Sequence, residues 1–199
     1  FVGIYYGSYK KGREIIWLTG MALFGLFSAE AFSGYMLPWG QMSYWAAQVI
    51  TNLFGSIPVI GEALVIWIRG DYLVADATLT RFFMLHVLLL PLLIIVLIAV
   101  HFYSLRIPHV NNQDSEEFDF DKEAKKYLEG RTKESKVVPF WPVFLSKDFF
   151  VVGVALTGFF FLVCYHFNFA MDPINFEPAN NMKTPAHIYP EWYFLWSYE

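Results

Sequence analysis

Two histidines, His86 and His101, stand 15 residues apart in a stretch without acids, lysines or arginines. On an ideal α-helix that separation is a rise of roughly 22 Å and a rotation of about 60° beyond whole turns, so both imidazoles can face one side at opposite depths. Neutral imidazole is a metal ligand, and two so placed would each supply one axial ligand to a separate haem, stacking the haems as an electron path. Spacing alone leaves a second reading open, in which both are polar residues bonded to neighbouring helices. Gly20 and Gly34, 14 residues apart, nearly repeat the histidine spacing. Glycine lets a bulky planar group approach a helix backbone, although small residues also serve plain close packing. His109 and His166 have no partner at such a spacing and read as structural.

The elements that must position these residues follow from composition. Hydrophobic residues make up 56% of the 199-residue chain and aromatic residues 20%, more apolar surface than a water-soluble core of this size would bury. The chain is therefore expected to lie in membrane lipid. Its net charge of −4 is modest and its basic residues form no stripe, which argues against a nucleic-acid partner. Cys164, the single cysteine, can form no disulfide within the chain and reads as a packing residue. Ile15 to Leu37, Phe82 to Leu105 and Phe149 to Met171 are each long and apolar enough to cross a bilayer, which needs about 20 such residues. The first carries one acid, Glu30, and is interrupted by Gly20, Gly25 and Gly34. The fold class read from this pattern is all-α, an integral membrane helical bundle with three full spans. Because the chain opens at Phe1 rather than Met and stops at Glu199 as a new apolar stretch begins, it reads as part of something longer.

Charge sets the orientation. Lys10, Lys11 and Arg13 precede the first span and eight basic residues lie from Arg106 to Lys147, against Arg69, Arg81 and Lys183 in the other connections. By the positive-inside rule the N-terminus and the 106–148 loop face the cytoplasmic, negative side. Segment 38–80 reads as an amphipathic surface hairpin, Gln41 to Leu53 and Gly61 to Arg69, lying over the positive side. Within the charged loop, Asp121 to Leu128 reads as a short helix in a solvated connection. The chain thus divides into a haem-binding part with its hairpin (1–105), the charged loop (106–148), and a part with one span and a terminal loop (149–199).

The stretches GYMLPWGQMSYWAAQVITNLFGSIPVIGEALVIWIRG, ATLTRFFMLH and PEWYFLWSYE closely resemble, in order and with the right spans between, those of cytochrome b from quinol:cytochrome c oxidoreductases. The resemblance covers nearly the whole chain except the charged loop. It implies the third to fifth transmembrane helices of that family, without the first two. It also implies two b-type haems, His86 ligating the low-potential one near the positive side and His101 the high-potential one near the negative side, with each opposite ligand outside this chain. Gly20 and Gly34 match family glycines packed on haem, and Arg81 matches an arginine near the low-potential haem, where a propionate could be its partner; snorkelling at the span end is the other reading of Arg81.

The residues Pro190, Glu191, Trp192 and Tyr193 match the family signature for quinol oxidation. Burial at the membrane edge raises a carboxylate's pKa and suits it to take a quinol proton, so Glu191 is the candidate acceptor. Tyr35 and Tyr198 match family tyrosines near that pocket, with Met42 to Ala46 as a further wall. Lys147 and Asp148 match the family's pair at the quinone-reducing site, and Arg106 stands where mitochondrial relatives have histidine. The 15-residue histidine spacing and Arg106 resemble the chloroplast-type branch, whereas PWGQMS resembles the respiratory one. Ala46 stands where mitochondrial relatives have glycine, which predicts weak inhibition by methoxyacrylate-type compounds; nanomolar inhibition of quinol oxidation would refute it. Glu30 replaces an uncharged family residue. The implied partners are a Rieske iron–sulfur protein, a cytochrome c-type subunit, the N-terminal part of cytochrome b and membrane lipid. A homodimeric complex in a bacterial inner membrane is the implied setting. A different di-haem anchor protein would not need PEWY or the PWGQ hairpin, and a non-redox helical scaffold would show no haem absorbance.

Overall fold

The computed structural model describes residues 2–10, 12–108, 119–169 and 171–197, so His109, Tyr198 and part of the charged loop lie outside the described residues. The described chain is helical without strands, and three helices are long and apolar enough to cross a membrane: Glu14–Met36, Asp76–Arg106 and Phe140–Tyr165. It forms two compact units, one of Phe1–His109 with Met171–Glu199 and one of Val110–Ala170.

In the first unit the helical turn α1 (Val2–Tyr5) precedes α2 (Glu14–Met36). The spanning helix is apolar over most of its circumference, as suits a helix in lipid, with Glu30 its one acid beyond the first turn. The chain then turns at Trp39, whose φ of 54° lies in the left-handed region. Trp39 is held there by its ring, edge-on to Tyr44 at 5.7 Å, and by a hydrogen bond from its N–H to the Met36 carbonyl. The surface hairpin follows as α3 (Gln41–Phe54) and α4 (Gly61–Arg69), within one residue of the expected limits. Gly70 ends α4 at φ 80°, a conformation open to glycine without a Cβ penalty. Under the hairpin lies a core of Met36, Tyr44, Ala47, Val74 and Phe82.

Arg69 is buried in the hairpin and has no carboxylate partner among the described residues; its guanidinium donates to Thr51 Oγ1, Asn52 Oδ1 and the carbonyls of Gln48 and Tyr72. A rigid fork of donors suits this task, since one guanidinium reaches four acceptors, among them the buried Thr51 hydroxyl.

The histidine-bearing span runs through α5 (Asp76–Met84), a π-helical turn at Leu85–Leu89 and α6 (Leu90–Arg106). The span is therefore not the ideal α-helix on which the histidine spacing is projected, because the π turn interrupts it. Pro91 sits at the start of α6, and the wider turn before it relieves the clash between a proline ring and the carbonyl four residues earlier. α6 packs antiparallel along α2.

In the second unit α7 (Phe120–Leu128) is capped by Asp119, which accepts from the Lys122 N–H at 3.0 Å. α8 (Leu145–Tyr165) is exposed or half-exposed throughout. The third span lies earlier than Phe149 to Met171, because Lys147 and Asp148 are taken into its first α-helical turn and the chain leaves the helix at His166. Long polar side chains at a span end can reach the interface, so charge there does not stop the helix. Cys164, expected to pack, is exposed on α8.

Candidate haem and quinol sites

The antiparallel pairing of α2 with α6 sets Gly20 opposite His101 and Gly34 opposite His86. A methyl group added at Gly34 would lie 2.5 Å from His86 Cε1, and one at Gly20 would lie 3.4 Å from His101 Cε1. The glycines are 14 residues apart and the histidines 15. The extra residue is absorbed in the π turn, which holds both imidazoles on the face toward α2. Wide turns of this kind recur at functional sites because they re-aim one side chain without breaking the helix.

Hydrogen bonds fix the tautomer of each ring. The Thr19 hydroxyl donates to the Ile15 carbonyl at 2.8 Å, so its lone pair accepts from His101 Nδ1, also at 2.8 Å. Ser33 Oγ likewise donates to the Glu30 carbonyl at 3.0 Å and lies 3.4 Å from His86 Nδ1. That carbonyl and Glu30 Oε1 lie 3.0 and 3.2 Å from the same nitrogen. Facing only acceptors, Nδ1 carries the proton in both rings and Nε2 keeps its lone pair for a metal. Beside His101 and Gly20 lies a cavity of about 520 Å³, walled by Trp17, Met21 and Phe24. Imidazoles seated against glycine with Nε2 lone pairs free, and at His101 an apolar cavity beside the ring, are what ligation of haem requires, so these residues fit the group.

Arg81 folds back to donate to the Trp67 carbonyl and covers Gly70. It also borders an apolar cavity of about 610 Å³ with Leu85, Leu88 and Leu89.

The PEWY loop is brought to the end of α2. The Tyr35 hydroxyl is buried without a hydrogen bond of standard geometry and interacts electrostatically with the Glu191 carboxylate and Tyr193. Burial and the neighbouring Glu191 charge push the Tyr193 hydroxyl up to about 12. The Tyr189 hydroxyl donates to Asp172 and is raised by that carboxylate. One half-buried carboxylate thus stands between two tyrosines, with Pro190 half-buried beside it. Met42 and Ala46 are buried one turn apart on α3. After PEWY the chain forms a 3₁₀ segment, Trp192–Ser197, and Trp196 stacks near Phe24 of α2 at 5.2 Å.

The loop before PEWY is clipped to the start of α3. Gln41 N–H donates to the Glu177 carbonyl (2.8 Å), Ala179 N–H to the Trp39 carbonyl (3.1 Å), and Ser43 N–H to Asn175 Oδ1 (2.9 Å). The Gln41 amide reaches across as well, accepting from Asn180 N–H at 2.7 Å and donating to the Lys183 carbonyl. The conformations of PWGQ and of the PEWY approach are therefore mutually dependent.

Arg106 is exposed at the end of α6 in the first unit, and Lys147 and Asp148 are exposed on consecutive positions of α8 in the second. His166 and His187 are exposed. Thr19, Ser33, Gln41 and Asn175 were missed in the sequence reading. For the first two a signal existed, because each directly precedes one of the paired glycines and shares their 14-residue spacing.

A family model described as cytochrome b (N-terminal)/b6/petB matches residues 1–183, and one described as cytochrome b (C-terminal)/b6/petD matches residues 178–199. Cytochrome b of Rhodobacter capsulatus is 47% identical over 195 residues, 98% of this chain and 43% of its own length. Cytochrome b of Rickettsia prowazekii is 45% identical over 97% of this chain and 45% of its own length. A solved structure titled Hyperthermophilic respiratory Complex III aligns with a TM-score of 0.84 at 40% identity, covering 99% of this chain and 50% of that one. The chain spans less than half the length of these curated relatives. With three membrane-spanning helices, histidines set opposite glycines and both family models matched, the chain belongs to the cytochrome b family.

Proposed function

We propose that the chain is the central part of the di-haem subunit of a respiratory quinol:cytochrome c oxidoreductase. That enzyme oxidises quinol on the positive side with bifurcated electron transfer, reduces quinone on the negative side and so translocates protons. The observation that carries this reading is the repeated constellation of hydroxyl, glycine and imidazole, Thr19–Gly20 with His101 and Ser33–Gly34 with His86. His86 would hold the low-potential haem and His101 the high-potential one, each through Nε2, and a further histidine from outside this chain would complete each site. Haem bound there supplies one-electron transfer across the membrane.

At the positive side quinol sits between α3, with Met42 and Ala46, and the PEWY loop. Glu191 accepts a quinol hydroxyl proton, and Tyr35, Tyr193 and Tyr198 orient the ring and exclude water. Arg81 would pair with a haem propionate in exchange for its bond to the Trp67 carbonyl. At the negative side Lys147 and Asp148 bind quinone and supply its protons. A Rieske iron–sulfur protein and a cytochrome c-type subunit complete the enzyme, as a homodimer in a bacterial inner membrane.

The test is a dithionite-reduced minus ferricyanide-oxidised spectrum of the purified complex, with His86→Leu and His101→Leu in parallel. Two b-type signals, a different one lost in each variant, are expected. A flat spectrum, or both signals kept in both variants, overturns the reading and returns the histidines to a packing role.

A further inference from the structure

The two imidazole sites are built on one repeated scaffold and differ in a single charged group. Fourteen residues before Ser33–Gly34 stands Thr19–Gly20, and fourteen before Glu30 stands Ile16. At His101 the Nδ1–H meets a neutral hydroxyl at 2.8 Å. At His86 it meets the Glu30 carbonyl at 3.0 Å, Glu30 Oε1 at 3.2 Å and the Ser33 hydroxyl at 3.4 Å. Only one of these acceptors is a carboxylate. Its second oxygen, Oε2, is buried without a hydrogen-bond partner among the described residues. Among the described residues Glu30 forms an ion pair with His86 alone.

The geometry points to Glu30 as a positioning residue that holds the His86 imidazole by its Nδ1–H and lowers the reduction potential of the haem that His86 ligates, an inference that rests on the haem reading above. A carboxylate accepting the outer N–H makes an imidazole a more electron-rich ligand, and partners in this position tune both affinity and potential. A more electron-rich ligand and a nearby negative charge both favour ferric over ferrous iron. The Ile16 side chain contributes neither effect at the other site. The chain therefore carries within one helix a built-in difference between its two haem sites, with Glu30 acting only on the one nearer the PEWY loop.

The experiment is a redox titration of both b-type signals in the purified complex at one fixed pH, comparing the parent, Glu30→Gln and Ser33→Ala. The signal under test is identified as the one lost in His86→Leu. In Glu30→Gln that signal shifts about tenfold toward the ferrous form, about 59 mV upward for a one-electron couple, while the His101 signal stays in place. Ser33→Ala, which removes a neutral acceptor, moves the same signal less. If Glu30→Gln does not assemble, Glu30→Thr carries the same comparison. Two haems present with the His86 signal unmoved, or with both signals moved equally, overturns the role of Glu30 and leaves the haem reading standing; absence of b-type signals from the parent overturns the haem reading itself.

Discussion

Replacing Gly40 by alanine is expected to slow quinol oxidation about 10²-fold while leaving both haem signals intact. A Cβ at position 40 would lie 2.0 Å from the Asn175 carbonyl oxygen and 2.2 Å from its Oδ1. Both atoms would have to retreat by more than about 1 Å to reach contact distance. Asn175 is buried, and its Oδ1 accepts from the Ser43 N–H, so that bond is lost first. The bonds from Gln41 N–H to Glu177 and from Ala179 N–H to Trp39 flank the same point and open with it. Three such bonds at about 1 kcal/mol each make the opened loop about 10²-fold more accessible. A displacement of about 1 Å in a positioning segment also costs about 10²-fold in rate. The assay pairs steady-state quinol oxidation with amide hydrogen exchange at Gln41 and Ser43. Parental rate together with parental protection in Gly40→Ala would refute the coupling of PWGQ to the PEWY approach.

Gly34→Ala is expected to lose the haem of His86, because the methyl falls at 2.5 Å from the ring, whereas Gly20→Ala, at 3.4 Å, retains the haem of His101. Overpacking of the first kind costs about 1–3 kcal/mol, and reduced-minus-oxidised spectra of the two variants check the difference. Arg69→Met leaves the Thr51, Asn52, Gln48 and Tyr72 acceptors without their shared donor and is expected to destabilise the complex by about 3 kcal/mol. Thermal unfolding measures this loss, and Arg69→Lys does not restore the parental midpoint because an ammonium cannot span the four acceptors. For Tyr193 the folded pKa is raised from 10.0 to about 12, so its contribution to stability is fully present below pH 10. Above that the unfolded chain loses the proton first, and the contribution is lost as pH rises through about 12. Tyr193→Phe flattens this alkaline loss in unfolding experiments run across that range.

The number of spans, their approximate limits, the hairpin helices at 41–54 and 61–69, and the candidate ligands His86 and His101 were legible in the residues themselves. Lipid imposes a length and a composition on a helix, and a surface hairpin imposes an apolar face, so both leave a pattern along the chain. The motif residues of PEWY were legible through resemblance to a family. What waited for the tertiary structure was pairing between elements distant in sequence. The π turn at Leu85–Leu89 arises where Pro91 and the packing against α2 must both be satisfied, and periodicity alone treated that segment as regular. The choice of Thr19 and Ser33 as partners for the imidazoles follows from the antiparallel register of α2 and α6, as does the approach of Glu30 to His86. The clip of Asn175 and Glu177 onto Gly40–Ser43 joins segments more than 130 residues apart, and a hydrogen bond of that kind has no signature in either segment until the fold brings them together.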